Sequence, residues 1–148
     1  MNVIGYGISL IDVKLVAEIA QQEHCLDCLE RQCLTMTELE LARLRIKRVQ
    51  FLAGRIAAKK AVIQALGQDG KSISWLEIEI QRLPTGQPFV VLYGTTLKVA
   101  TQLGIDKWLL SISHTPAYAT ASAIALGKVK RAIAFSGVKA SISDIDKY

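Results

Sequence analysis

The chain has 148 residues, 51% of them hydrophobic, which suits one domain able to bury most of its apolar surface. It contains no run of about 18 apolar residues, which excludes a membrane-spanning helix. The net charge of +5 and pI of about 9.2 point to an anionic partner. The basic residues do not interleave with aromatics, so nucleic acid is not expected.

Mean hydropathy is +0.29, high for a soluble domain, so part of the apolar surface is expected in subunit contacts. The start, "MNVIGYGISLIDV", lacks the basic region and cleavage site of a signal peptide, and a cytoplasmic location is expected. Val3 to Val13 alternates loosely and reads as a strand, running into a helix over Lys14 to Gln22. Cys25, Cys28 and Cys33 follow. Cys25-x-x-Cys28 matches a redox or metal spacing. There is no second such pair, the neighbours read as helical, and the other nearby ligand type, His24, stands beside Cys25. Three free thiols in a reducing compartment are expected.

"LTMTEL", Leu34 to Leu39, contains a capping-box spacing, and a helix should run to about Arg43. Arg45 to Leu66 has helical periodicity, with Gly67 as a natural residue just past its end. Alanines 53, 57, 58, 61 and 65 leave one side thin, so another backbone can come close and the helix should be central. Ser74 to Ile80 alternates at period two, as a strand with one wet face does. Pro84 to Pro88 is a turn, and Phe89 to Tyr93 completes a hairpin. Thr95 to Leu103 reads as a helix ended by Gly104. Trp108 to Ser113 and Tyr118 to Leu126 are two more strands, joined through His114 to Ala117. The order predicts an α+β domain over residues 1–127, with strands meeting antiparallel on a long central helix. Residues 128–148, basic and then serine-rich, read as a C-terminal extension of unknown role.

Two places suit chemistry. His114 ends a hydrophobic strand between Ser113 and Thr115, whose hydroxyls can donate to a phosphate. Arg43, Arg45, Lys47 and Arg48 cluster at the start of the long helix, where positive side chains reinforce the favourable dipole for an anion. The alternative readings are a structural histidine and a solvated charged face. Asp12, Glu77 and Glu79 assemble no carboxylate pair for a metal. The chain carries no glycine-rich phosphate loop, no GxSxG elbow and no zinc spacing.

Six segments together resemble the holo-[acyl-carrier-protein] synthases, the small trimeric branch of the 4′-phosphopantetheinyl transferases. They are "IGYGISLIDV", "LTMTEL", "FLAGRIAAKKAVIQALG", "SWLEIEI", "PTGQP" and "SISHTPAYATASAIA", in family order and spacing across residues 1 to about 127. The resemblance implies the phosphopantetheinyl transferase fold and transfer of 4′-phosphopantetheine from coenzyme A to a serine of apo acyl carrier protein. It also implies Mg²⁺ as cofactor, a homotrimer with sites between subunits, and an acidic carrier-protein partner. It places Lys47, Arg48, Arg55, Gly86, Pro88, His114 and Thr115 in the coenzyme A site, with Lys59 among the retained positions, and His114, Lys60 and Gln64 at catalytic positions. Several of these positions depart from the family pattern. The Mg²⁺-binding aspartate is Ser9, the Mg²⁺-binding glutamate is Lys60, the lysine one turn later is Gln64, and the arginine that meets the carrier protein is Leu15. No metal site is therefore expected, because Ser9 offers a neutral hydroxyl and a protonated Lys60 offers no lone pair. Lys60 can replace part of the metal's attraction for phosphate as a point charge. Metal-dependent transfer is therefore expected to be weak or lost, and three readings compete: an active transferase with a rearranged site, for which Asp12 is the best substitute ligand although in a strand it faces away from Ser9; a non-catalytic binder of coenzyme A or carrier protein, alone or joined to an active paralogue in a mixed trimer; and a structural oligomer with no ligand.

Overall fold

A thin, alanine-lined helix can lie against a sheet only where the strands are equally thin. The computed structural model, which describes residues 1–22, 25–68 and 72–128, is built on that match. Strand β1 (Asn2–Asp12), β5 (Tyr118–Gly127) and β4 (Ile105–His114) form an antiparallel sheet in the order β1-β5-β4. Helix α4 (Arg48–Ala65) packs across it. Its alanines at 53, 57, 58, 61 and 65 are buried, as are Ala119, Ala121, Ala123 and Ala125 of β5. The closest approach is to β1: a Cβ on Gly5 would stand 1.9 Å from the Ala65 carbonyl oxygen, and one on Gly7 would stand 2.0 Å from that of Ala61. Only glycine permits this spacing.

The elements follow the expected order. Helix α1 (Val13–Gln22) leaves β1 directly, and the Asp12 carboxylate accepts from Lys14 N at 2.9 Å as its cap. Helix α3 (Met36–Arg43) opens with the predicted capping box, Thr35 and Glu38 each accepting from the other's backbone N–H. Helix α4 closes on Gly67 at φ 68°, where Gly67 N donates to Gln64 O and Gln68 N to Ile63 O, a Schellman arrangement. Strands β2 (Ile78–Arg82) and β3 (Pro88–Leu92) form a hairpin, followed by α5 (Gly94–Gln102), which Gly104 ends.

Two expectations need correction. Ser74 to Ile80 is not one strand with a wet face: Trp75–Glu77 is a single 3-10 turn, and Ile78, Glu79 and Ile80 are all buried. Glu77 leaves the strand to cap α5, accepting from Thr95 N, Thr96 N and the Thr96 hydroxyl at 2.8–3.1 Å. These bonds, that of the Thr96 hydroxyl first, hold its carboxyl below the usual range. Nor are there three free thiols, because Cys25 and Cys28 are joined as a disulfide at the start of α2 (Leu26–Cys33), and Cys33 is the free one. Its thiol is pushed up by burial. His24 and residues 129–148 of the expected extension lie outside the described residues.

Candidate functional site

Arg43, Arg45, Lys47 and Arg48 gather at the N-terminus of α4. Lys47 occupies its N-cap without a side-chain cap, so the first-turn N–H groups stay open to a ligand. A groove of about 590 Å³ runs past it, lined by Arg45, Lys47, Gln50, Phe51, Arg82 and His114 with Leu44 and Ile46. His114 arrives from the end of β4 and Arg82 from the end of β2. The Gly86 carbonyl, in the hairpin turn at φ 88°, accepts from Arg82 Nη1 at 2.7 Å. Four basic side chains and an uncapped 18-residue helix thus face one cavity, an arrangement that favours a phosphate-bearing anion.

A second groove of about 720 Å³ lies on the other side of Lys47, lined by Asp12, Lys14, Ala17, Arg48, Pro116 and Tyr118 among others. Arg48 is held away from the His114 groove by α2. Its Nε and Nη2 bond both oxygens of buried Glu30, at 3.1 and 2.7 Å, and Nη2 also bonds Asp27. This clamp raises the Arg48 pKa and lowers that of Asp27.

Beneath the His114 groove is a buried charge cluster. Lys59 is 0% exposed, and its Nζ donates to Glu38 Oε1 and Cys33 O at 2.6 Å and to Trp75 O at 3.0 Å. Glu38 Oε2 accepts from Ile80 N at 3.3 Å and lies 3.6 Å from Arg55 Nε. Arg55 is 2% exposed and stacks with Cζ 4.5 Å from the Phe51 ring centre, while Arg45 covers the same ring at 5.3 Å. Its Nε and Nη2 make no hydrogen bond. Burial pushes the Arg55 pKa down to about 10, against the pull of Glu38, and the Lys59 ammonium is lowered for the same first cause.

The structure therefore redistributes the expected ligand-site residues. Lys47 and His114 line the groove. Arg48 is committed to α2, and Arg55 sits behind Phe51 rather than in the groove wall. Lys59 is scaffold. Gly86 and Pro88 shape the hairpin, and only Gly86 reaches the groove, through Arg82. The Thr115 hydroxyl is occupied in its own turn, accepting from Ala117 N and Tyr118 N at 3.2 and 3.0 Å. Arg82 was not singled out from sequence, and the only local signal is a basic residue two places before Pro84.

Ser9, Lys60 and Gln64 lie elsewhere. Lys60 and Gln64 are exposed on α4 and line a cavity of about 330 Å³ with Ile63, Gln68 and Trp75. Gln64 Oε1 accepts from Ile8 N of edge strand β1 at 2.9 Å. None of the described cavities joins His114 to Lys60. Among the described residues no three of His, Cys, Asp or Glu are grouped to hold a metal. A family-style Mg²⁺ does not fit this donor set, since Lys60, at a position the resemblance gives to a ligand, offers no lone pair while protonated and the Gln64 oxygen already accepts from Ile8 N.

No protein-family model matches the chain. It is 35% identical over 125 residues to holo-[acyl-carrier-protein] synthase of Desulforudis audaxviator (strain MP104C), covering 84% of this chain and 94% of that protein. The crystal structure of holo-ACP-synthase from Plasmodium yoelii superposes with TM-score 0.75 at 28% identity, covering 86% of this chain and 97% of that one. The holo-(acyl-carrier-protein) synthase from Bacillus anthracis str. Ames, in complex with CoA (3′,5′-ADP), does so with TM-score 0.69 at 28% identity, over 85% and 98%.

Proposed function

The chain belongs to the holo-[acyl-carrier-protein] synthase family, and from that premise we propose that it binds coenzyme A in the groove of Arg45, Lys47, Arg82 and His114. The observation that carries this reading is the meeting of those four side chains with the uncapped start of α4. Lys47 and His114 contact phosphate directly. Arg48 and Arg55 add positive potential from behind, and the Gly86–Pro88 turn holds Arg82 in place. The partner is an acidic acyl carrier protein, drawn by the +5 charge, in the cytoplasm.

The working unit is a homotrimer. Val3, Tyr6, Ile8 and Leu10 are 62–68% exposed on the face of β1 turned away from α4, a contiguous apolar strip of the kind that subunit contacts cover. The His114 groove and the Lys60 cavity are separate on one chain, so a complete site requires a second copy. Transfer that depends on Mg²⁺ is weak or absent, because Ser9, Lys60 and Gln64 offer the ion no carboxylate. The same deficit favours a second reading, in which a paralogue supplies the metal-binding half of a mixed trimer.

Mass spectrometry of apo carrier protein incubated with this protein, coenzyme A and Mg²⁺ tests the proposal. Little or no gain of a phosphopantetheinyl group is expected, while calorimetry shows coenzyme A binding. Complete conversion by a substoichiometric amount of protein overturns the weak-transfer reading, and failure to bind coenzyme A overturns the rest. The variant Ser9→Asp, Lys60→Glu, Gln64→Lys gains transfer if only the reaction centre is altered. If it stays inert while binding coenzyme A and Mg²⁺, the deficit lies in carrier docking near Leu15.

A further inference from the structure

The metal's absence from the donor set leaves a positive question: what do Ser9, Lys60 and Gln64 bind? Their positions follow from the register of β1 on α4. Gly5 lies over Ala65 and Gly7 over Ala61, so two strand residues match four helix residues, about 6.6 Å against about 6 Å. The next step lays Ser9 over the turn from Ala57 to Lys60. The Gln64 Cβ lies 3.0 Å from where a Gly7 Cβ would stand, and the same step brings Lys60 alongside Ser9.

The polarity of this cluster is the reverse of a metal site. Gln64 Oε1 is spent on Ile8 N, which fixes the amide orientation and leaves the two Nε2 hydrogens as donors. Lys60 carries three donors and no acceptor. Ser9 adds a hydroxyl that donates as readily as it accepts. Among the described residues no carboxylate lines the adjoining cavity of Lys60, Ile63, Gln64, Gln68 and Trp75. We propose that this cluster holds a phosphate or pyrophosphate oxyanion directly on the donors of Lys60, Gln64 and Ser9, with no divalent cation between. The natural ligand rests on the reading above and is the pyrophosphate of coenzyme A; the anion site itself does not.

Calorimetry separates the two. Inorganic pyrophosphate is titrated in EDTA into the parent, Lys60→Gln and Lys60→Glu, and coenzyme A is titrated in EDTA and in excess Mg²⁺. Lys60 is exposed, so the variants should melt with the parent, which is checked. The parent is expected to bind pyrophosphate in EDTA. Lys60→Gln should bind it about tenfold more weakly, the loss of one cation from a multiply charged contact, and Lys60→Glu should keep only the binding that the separate Lys47 and His114 groove supplies. Coenzyme A affinity for the parent should be the same with and without Mg²⁺. The inference is overturned by no pyrophosphate binding, by unchanged affinity in Lys60→Gln, or by a tenfold gain in coenzyme A affinity from Mg²⁺. If coenzyme A fails to bind but pyrophosphate binding still depends on Lys60, the coenzyme A reading falls and the anion site stands.

Discussion

Glu38→Ala should be among the most damaging single substitutions in this fold. Glu38 is 0% exposed and accepts four contacts from four directions: Lys59 Nζ at 2.6 Å, Thr35 N at 3.1 Å, Ile80 N at 3.3 Å, and the Arg55 guanidinium at 3.6 Å. It therefore ties α3 to α4 and β2. Its removal leaves Lys59 and Arg55 as uncompensated buried cations, and Arg55 already lacks hydrogen-bond partners at Nε and Nη2. Breaking one side of a buried ion pair costs about 3–5 kcal/mol, against about 5–15 kcal/mol for a whole domain. Urea unfolding at fixed protomer concentration reads this as a midpoint lower by about 2 M, for a slope of about 2 kcal/mol/M. The paired change Glu38→Leu, Lys59→Met removes one of the stranded charges and should cost less than the sum of its single substitutions. A Glu38→Ala loss below about 1 kcal/mol would refute the assignment of Glu38 as the hub.

Four further outcomes follow from other parts of the structure. Gly7→Ala should lower the melting temperature by overpacking worth about 1–3 kcal/mol or more, because its Cβ would meet α4 backbone. Gly54→Ala should instead be neutral or stabilising by up to about 1 kcal/mol, since its nearest neighbour is Ile112 Cγ2 at 3.6 Å. Glu77 has a folded pKa below the ordinary 4.5, so the stability it adds is full above about 4.5 and fades as pH falls through the lowered value. The deficit of Glu77→Gln in urea midpoint should accordingly be present at pH 7 and shrink in acid. If the proposed trimer forms through the exposed face of β1, Ile8→Asp should shift the particle to monomer in light scattering. An unchanged mass would remove that face as the interface.

Much of the fold was legible because its strongest signals are local. The Thr35–Glu38 capping box, the Gly67 terminator and the alanine stripe each act within a few residues, and each is realised as expected. The alanine stripe also carried a long-range implication, a central helix, because small side chains have few other uses in such number. Local reasoning failed where a distant partner decides. Trp75 to Glu77 fits a period-two pattern, but Glu77 is drawn to the start of α5, eighteen residues on. Arg48 looked free to meet an anion, and nothing nearby in the chain reveals that Asp27 and Glu30 hold it. Arg82 enters the groove only through the hairpin's placement beside β4. Arg55 could be named from the resemblance, but whether it would line the groove or lie behind Phe51 depends on packing.

The pattern of retained and altered positions has a physical order. Lys59 and Arg55, which the resemblance reads as retained positions, are buried and joined to Glu38, so changing either alone would cost several kcal/mol. Lys60 and Gln64, which the resemblance reads as departures, are exposed on the same helix, where substitutions usually change stability by about 0.5 kcal/mol or less. Folding therefore constrains the first pair and barely constrains the second. On that reading the retained pair is one that the fold itself demands, and the departures sit where only function could object. For that reason the superposition on synthases speaks to architecture, while activity has to be judged from the exposed pair. Under the proposal above, those two side chains suit an anion at a place where the resemblance implies a cation. That reversal needs no change of backbone, because the Gly5 and Gly7 contacts that set the register of β1 on α4 are independent of the charges displayed beside them.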